Sequence, residues 1–195
     1  MYEIITIICL AIIFAILIRK WPLTKNEVTL TTSKGEETPQ NDLSDIDYFK
    51  KGEEYFKQEK YFEAEKYLIK ATAKEPNNPA IYSRLGVIYM HNDNLKDAKE
   101  AFQMAVKLEP GNGVYQNNLG SVLLSLGKYK EALIYLETAT KIDPLVPKRW
   151  MNLALCYEKL GELAKAKEAM STAIKLEPQN PKFQHIFARL KNLKK

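Results

Sequence analysis

Across residues 82–110 the chain carries two runs of helical character set between polar turns. Leu85, Val87, Ile88 and Tyr89 belong to the first, which stops near Asn92-Asp93-Asn94. Leu95 to Leu108 forms the second, which stops at Glu109-Pro110-Gly111. Asn, Asp and Gly favour turns, and Pro denies a helix both a backbone donor and helical geometry at the preceding residue. The pattern therefore predicts a pair of short helices. It also returns every 34 residues: Gly86 aligns with Gly52, Gly120 and Ala154; Ala98 with Ala64, Ala132 and Ala166; Ala105 with Ala71, Ala139 and Ala173; Pro110 with Pro76, Pro144 and Pro178. A fixed period of this size marks a stack of like units. Glycine costs a helix about 1 kcal/mol against alanine, so three glycines in one column imply a close approach of helices. Large neighbours such as Tyr82, Tyr89 and Phe102 then fill the flanks.

These columns resemble the tetratricopeptide repeat (TPR) family, with copies at 45–78, 79–112, 113–146 and 147–180. The resemblance implies an all-α fold, a right-handed superhelical solenoid of four helix-turn-helix repeats. Departures are few. Lys51 stands where the later copies have Leu85, Leu119 and Leu153; Ala154 replaces glycine; Gln116 and Leu123 replace aromatics. The segment 181–195 places Phe183, Ile186, Phe187, Leu190 and Leu193 at helical spacing and reads as a capping helix, because a terminal repeat has no neighbour to cover it. The expected TPR domain is thus 45–195.

Ahead of the repeats, residues 1–18 are almost wholly apolar, broken by Glu3 and Thr6 and closed by Arg19-Lys20-Trp21-Pro22. About 17 helical residues rise ~25 Å, enough for a span anchored by interfacial Trp and basic side chains. A cleaved signal peptide would start with a positive charge, whereas this segment starts with Glu3. Residues 1–21 therefore read as an uncleaved transmembrane helix. Arg19, Lys20 and Lys25 follow the span, so the positive-inside rule places the repeats on the cytoplasmic side of a single-pass membrane protein. The topology resembles both bacterial inner-membrane TPR anchors and mitochondrial outer-membrane import receptors, and richness in Lys, Ile and Asn favours the bacterial inner membrane. Residues 22–44, polar and net −2, read as a disordered linker. As a flexible coil its ends lie on the order of 25–30 Å apart.

Charge and chemistry narrow the function. Net charge is +5, interspersed along the repeats without the dense basic blocks of a nucleic-acid arm. A reading as an anion binder would route through Lys148 and Arg149, and nucleic acid is not the expected partner. Cys9 and Cys156 lie far apart, and Cys156 reads as a buried, inert thiol. His91 and His185 lack any clustered nucleophile or carboxylate, and no phosphate loop follows a strand, so neither an enzyme nor a cofactor is expected.

A binding surface is better supported. The TPR resemblance implies that the first helices line a concave groove, where one column is polar in all four copies: Lys50, Arg84, Asn118 and Asn152. Asparagine can pair with both the N–H and the C=O of an extended backbone, which suits capture of a peptide or protein segment. Lys148 adds charge near the C-terminal end. The column is expected to pack nothing, so its truncation should leave stability unchanged. The resemblance also raises the carboxylate clamp of chaperone-binding TPR domains. Asn118 and Lys148 match it, while Ser83, Val87 and Asn152 do not, leaving it incomplete. The reading is a membrane-anchored adaptor that scaffolds a complex. The alternative is a scaffold that self-associates through its convex face.

Overall fold

The computed structural model describes residues 47–193. The expected anchor (1–21) and linker (22–44) lie outside them. No described helix is long and apolar enough to cross a membrane. Among the described residues the structure is wholly helical, arranged as successive hairpins. The first helices are α1 (Tyr48–Lys57), α3 (Pro79–His91), α5 (Gly113–Ser125) and α7 (Pro147–Lys159). Their second helices are α2 (Tyr61–Lys74), α4 (Leu95–Leu108), α6 (Tyr129–Ile142) and α8 (Leu163–Leu176), and α9 (Pro181–Asn192) follows. Each first helix packs on its own second helix, and each second helix packs on the next first helix, α9 included.

Local chemistry sets the boundaries. Asn78, Asn112 and Asn180 cap α3, α5 and α9, their Oδ1 atoms accepting from Ala80, Val114 and Lys182 N–H at 3.0–3.1 Å. Proline opens α3, α7 and α9, where its missing donor costs nothing. Every second helix ends two residues before Pro76, Pro110, Pro144 or Pro178. The tight turn inside each hairpin needs one left-handed residue, and Glu59, Asp93, Gly127 and Gly161 supply it in turn, with φ of 58°, 57°, 74° and 78°.

The small columns hold the hairpins together. A Cβ on Gly52, Gly86 or Gly120 would come within 2.6–2.8 Å of Leu68, Phe102 or Leu136, so these side chains occupy the space the glycines leave. The fourth copy has Ala154 in that column, and the facing position holds Met170, unbranched and able to bend around an extra methyl. Ala98, Ala132 and Ala166 are fully buried. Lys51 is exposed at the N-terminal edge of the described array, its ammonium 5.8 Å from the Tyr55 ring centre, whereas the leucines of the same column are buried between repeats.

Gln116 departs from the aromatic pattern but performs the same task as its equivalents. Tyr82 Oη donates to Pro76 O at 2.9 Å, Gln116 Nε2 to Pro110 O at 2.8 Å and Trp150 Nε1 to Pro144 O at 2.7 Å. In each case a donor from the second turn of a first helix ties down the carbonyl of the preceding proline. Gln184 Nε2 does this to Pro178 O at 2.7 Å. By that bond, and by its Asn180 cap, α9 stands in the register of a fifth first helix.

Candidate functional site

The first helices are neighbours through a fixed offset of 31 residues. Arg84 donates through Nε to Glu53 Oε1 at 2.5 Å and through Nη2 to Glu53 Oε2 at 3.2 Å, and its guanidinium lies 5.0 Å from the Phe56 ring centre. Asn152 Nδ2 donates to Ser121 Oγ at 3.0 Å and to Asn117 Oδ1 at 2.9 Å. Asn118 has the same relation to Val87, which offers no acceptor. Its side-chain amide therefore makes no hydrogen bond with any described residue.

That gap lies in an open cleft of about 460 Å³ running along the first helices from α3 to α9. Val87, Met90, Leu124, Met151 and Leu155 supply apolar lining. Asn117, Asn118, Ser121, Ser125 and Asn152 supply polar groups, and Lys148 and Lys182 supply the charge. An apolar surface with a few convergent polar groups is the ordinary make-up of a ligand site.

Of the five residues singled out from the sequence, the cleft brings together Asn118, Lys148 and Asn152. Lys50 lies on α1 with an exposed side chain, outside the cleft lining. Arg84 is also outside it, held by Glu53. The expectation that the column packs nothing is corrected at Asn152, which is 8% exposed and bonded between two α5 side chains.

A family model of the tetratricopeptide repeat matches residues 55–119 and 123–190. The chain belongs to the TPR family. MamA of Desulfovibrio magneticus RS-1, solved from residue 41 to its end, is similar at 26% identity over 74% of this chain and 81% of that one, with a TM-score of 0.70. PilF of Pseudomonas aeruginosa is 27% identical over 73% of this chain and 65% of its own, with a TM-score of 0.66. YrrB, described as a TPR protein with an unusual peptide-binding site, is 26% identical over 71% and 72%, also at 0.66. A comparison with curated proteins finds no match.

Within this TPR array, Arg149 occupies a position that the repeat step equates with Ile81 and Phe183, both buried. It is itself 5% exposed. Its Nη1 donates to Ala139 O at 3.2 Å and pairs with the Asp143 carboxylate. A side chain on Gly113 would run into that guanidinium, so the third copy opens on glycine where its neighbours open on proline. Arg149 thus serves the packing between repeats and presents no charge for an external anion.

Cys156 is fully buried, with Sγ 3.3 Å from Tyr129 O, and burial pushes its thiol up to about 11, next to the charges of Glu137 and Glu162. This is the inert thiol expected from the sequence. Tyr157 Oη donates to Glu137 Oε1 at 2.6 Å, and its phenol is raised by burial first and by that carboxylate second. Sequence reasoning missed Asn117, Ser121 and Lys182 as groove residues. The signal for Lys182 is present in the sequence: it lies one repeat step from Lys148, within the segment that reads as a capping helix.

Proposed function

We propose that this TPR chain is an adaptor that captures an extended protein segment in the cleft and holds it at a membrane through residues 1–21. The observation that carries the reading is the unpartnered amide of Asn118, set among Val87, Met90 and Leu124 on the surface of the cleft. An extended backbone offers alternating donors and acceptors, and one asparagine can satisfy one of each. The apolar lining gains from burying alternate side chains of the segment, about 25 cal/mol per Å² of apolar surface. The peptide-binding site described for YrrB, a relative of the same fold, supports this reading.

Membrane attachment with the repeats on the cytoplasmic side is part of the same proposal and rests on the sequence of residues 1–25. Protease added to intact cells should leave the repeats whole and digest them only after lysis. Digestion before lysis would place the array on the other side.

A second reading has its own observation: Phe62 on α2 and Ile134 on α6 are 80% and 64% exposed on the outer row of helices, a surface a second copy could cover. A photocrosslinker at Ser125, in the cleft, and another at Ile134 separate the two. Adaptor function gives crosslinks to a different protein from Ser125 and few from Ile134. Self-association gives crosslinks to the chain itself from Ile134, with Ser125 silent.

A further inference from the structure

Acidic residues are distributed unequally between the two rows of helices. The second helices carry carboxylates throughout, as in Asp97, Glu131 and Glu168. By contrast, α3, α5 and α9 contain no Asp or Glu, and the one acidic residue of α7 is Glu158. Glu158 Oε2 accepts from Arg189 Nη2 at 2.6 Å, so its charge is already met from α9. At the other end of the row, α1 carries Glu53, which is met by Arg84, and Glu54, which lies outside the cleft lining. What remains in the cleft is Lys148 and Lys182, both exposed and without an ion pair among the described residues. The cleft is positive, and nothing within its lining offsets that charge.

We infer that the cleft takes a segment carrying acidic side chains among apolar ones, with the acids toward the α7–α9 end, and that α9 is part of the binding surface as well as the end of the stack. This rests on the adaptor reading and names the chemistry of its ligand. The register of α9 supplies the mechanism. The Gln184 bond to Pro178 O and the Asn180 cap set α9 as the earlier first helices are set. Lys182 therefore occupies on α9 the place of Lys148 on α7, one repeat further along the cleft. Two successive ammonium groups at repeat spacing match carboxylates spaced along an extended chain, while Leu124, Met151 and Leu155 take the residues between. Acidic side chains are specified, and a free chain terminus is not required.

The test is a titration of the full chain with two dye-labelled, C-terminally amidated ten-residue peptides, one of alternating leucine and glutamate, the other of leucine and lysine. The glutamate peptide is expected to bind at least tenfold more tightly. The pair Lys148→Glu and Lys182→Glu should abolish that preference, and Lys182→Glu alone should weaken the glutamate peptide at least threefold. The pair Lys96→Glu and Lys130→Glu, on second helices, changes net charge equally and should leave the preference intact. All four lysines are exposed, and unchanged melting of the variants verifies that they fold. Loss of preference in both double variants would mean non-specific attraction to a basic protein and would overturn the inference. So would equal binding of the two peptides, although that outcome leaves the adaptor reading standing. Full binding by Lys182→Glu would remove α9 from the site. Binding of neither peptide would overturn the inference and the adaptor reading together.

Discussion

The first two repeats and the last two share most packing columns, yet they join their first helices by different chemistry. Between α1 and α3 the link is an ion pair, Arg84 with Glu53, and Arg84 is 40% exposed at its side chain. Between α5 and α7 it is a buried neutral network, Asn152 with Asn117 and Ser121, backed by the buried Arg149. The turns differ too. The N-terminal hairpins force Glu59 and Asp93 into the left-handed region, where the C-terminal ones use Gly127 and Gly161. The apolar core divides within the second repeat, with a smaller cluster around Leu68 and Ile81 and a larger one running from Ala98 to Leu190. The repeat columns specify the fold, and the positions between them decide how firmly each pair of units is held. The candidate cleft lies mostly on the firmly held half, where a binding surface is best fixed in advance.

The two arginines provide the sharpest contrast. Arg149→Ala removes a buried guanidinium, breaks its ion pair with Asp143 and takes away the second hydrogen bond to Ala139 O, so stability should fall by about 2–4 kcal/mol. Arg84→Ala breaks a partly exposed pair and should cost under about 1 kcal/mol, less still in high salt. Denaturant unfolding measures both, and equal losses would erase the difference between the halves. The shared columns should not distinguish them. Ala98→Leu and Ala132→Leu overpack the same contact in the second and third repeats, and each should cost roughly 1–3 kcal/mol. Lys96 and Lys130, exposed two residues earlier, should tolerate substitution within about 0.5 kcal/mol.

The asparagines come next in size. Asn152→Ala strips a buried donor from Asn117 and Ser121, and about 1–2 kcal/mol should be lost. Asn118→Ala removes an amide that bonds no described residue, and its melting temperature should hardly move. A thermal shift in Asn118→Ala equal to that of Asn152→Ala would place both in the packing and take away the free amide. The smallest effect lies in the turns. Glu59→Gly and Asp93→Gly relieve a left-handed backbone and should stabilise by about 0.5–1 kcal/mol, while Gly127→Ala should destabilise by a similar amount.

The fold was largely legible because each helix pair repeats the same small and large residues at one fixed step. The site was legible in part. Reading Lys50, Arg84, Asn118 and Asn152 as one surface assumed that equivalent positions have equivalent neighbours. Their neighbours lie 31 residues back, at Glu53, Val87 and Ser121 for the last three, and those residues do not repeat. For Arg149, charge alone suggests a solvent-facing anion contact, and the column shared with Ile81 and Phe183 places it inside. Lys182 is hidden in the sequence because a terminal amphipathic helix reads as a cover for the last repeat, although it shares the register of Lys148.

The central claim is that a ligand occupies the cleft formed by the first helices and engages Asn118. Its most direct test is an amide and side-chain NMR titration of the full chain with the leucine-glutamate peptide. The account predicts that the Asn118 side-chain amide shifts most, with further shifts confined to α3, α5, α7 and α9. Shifts centred on α2, α4, α6 or α8, with Asn118 unmoved, would contradict it.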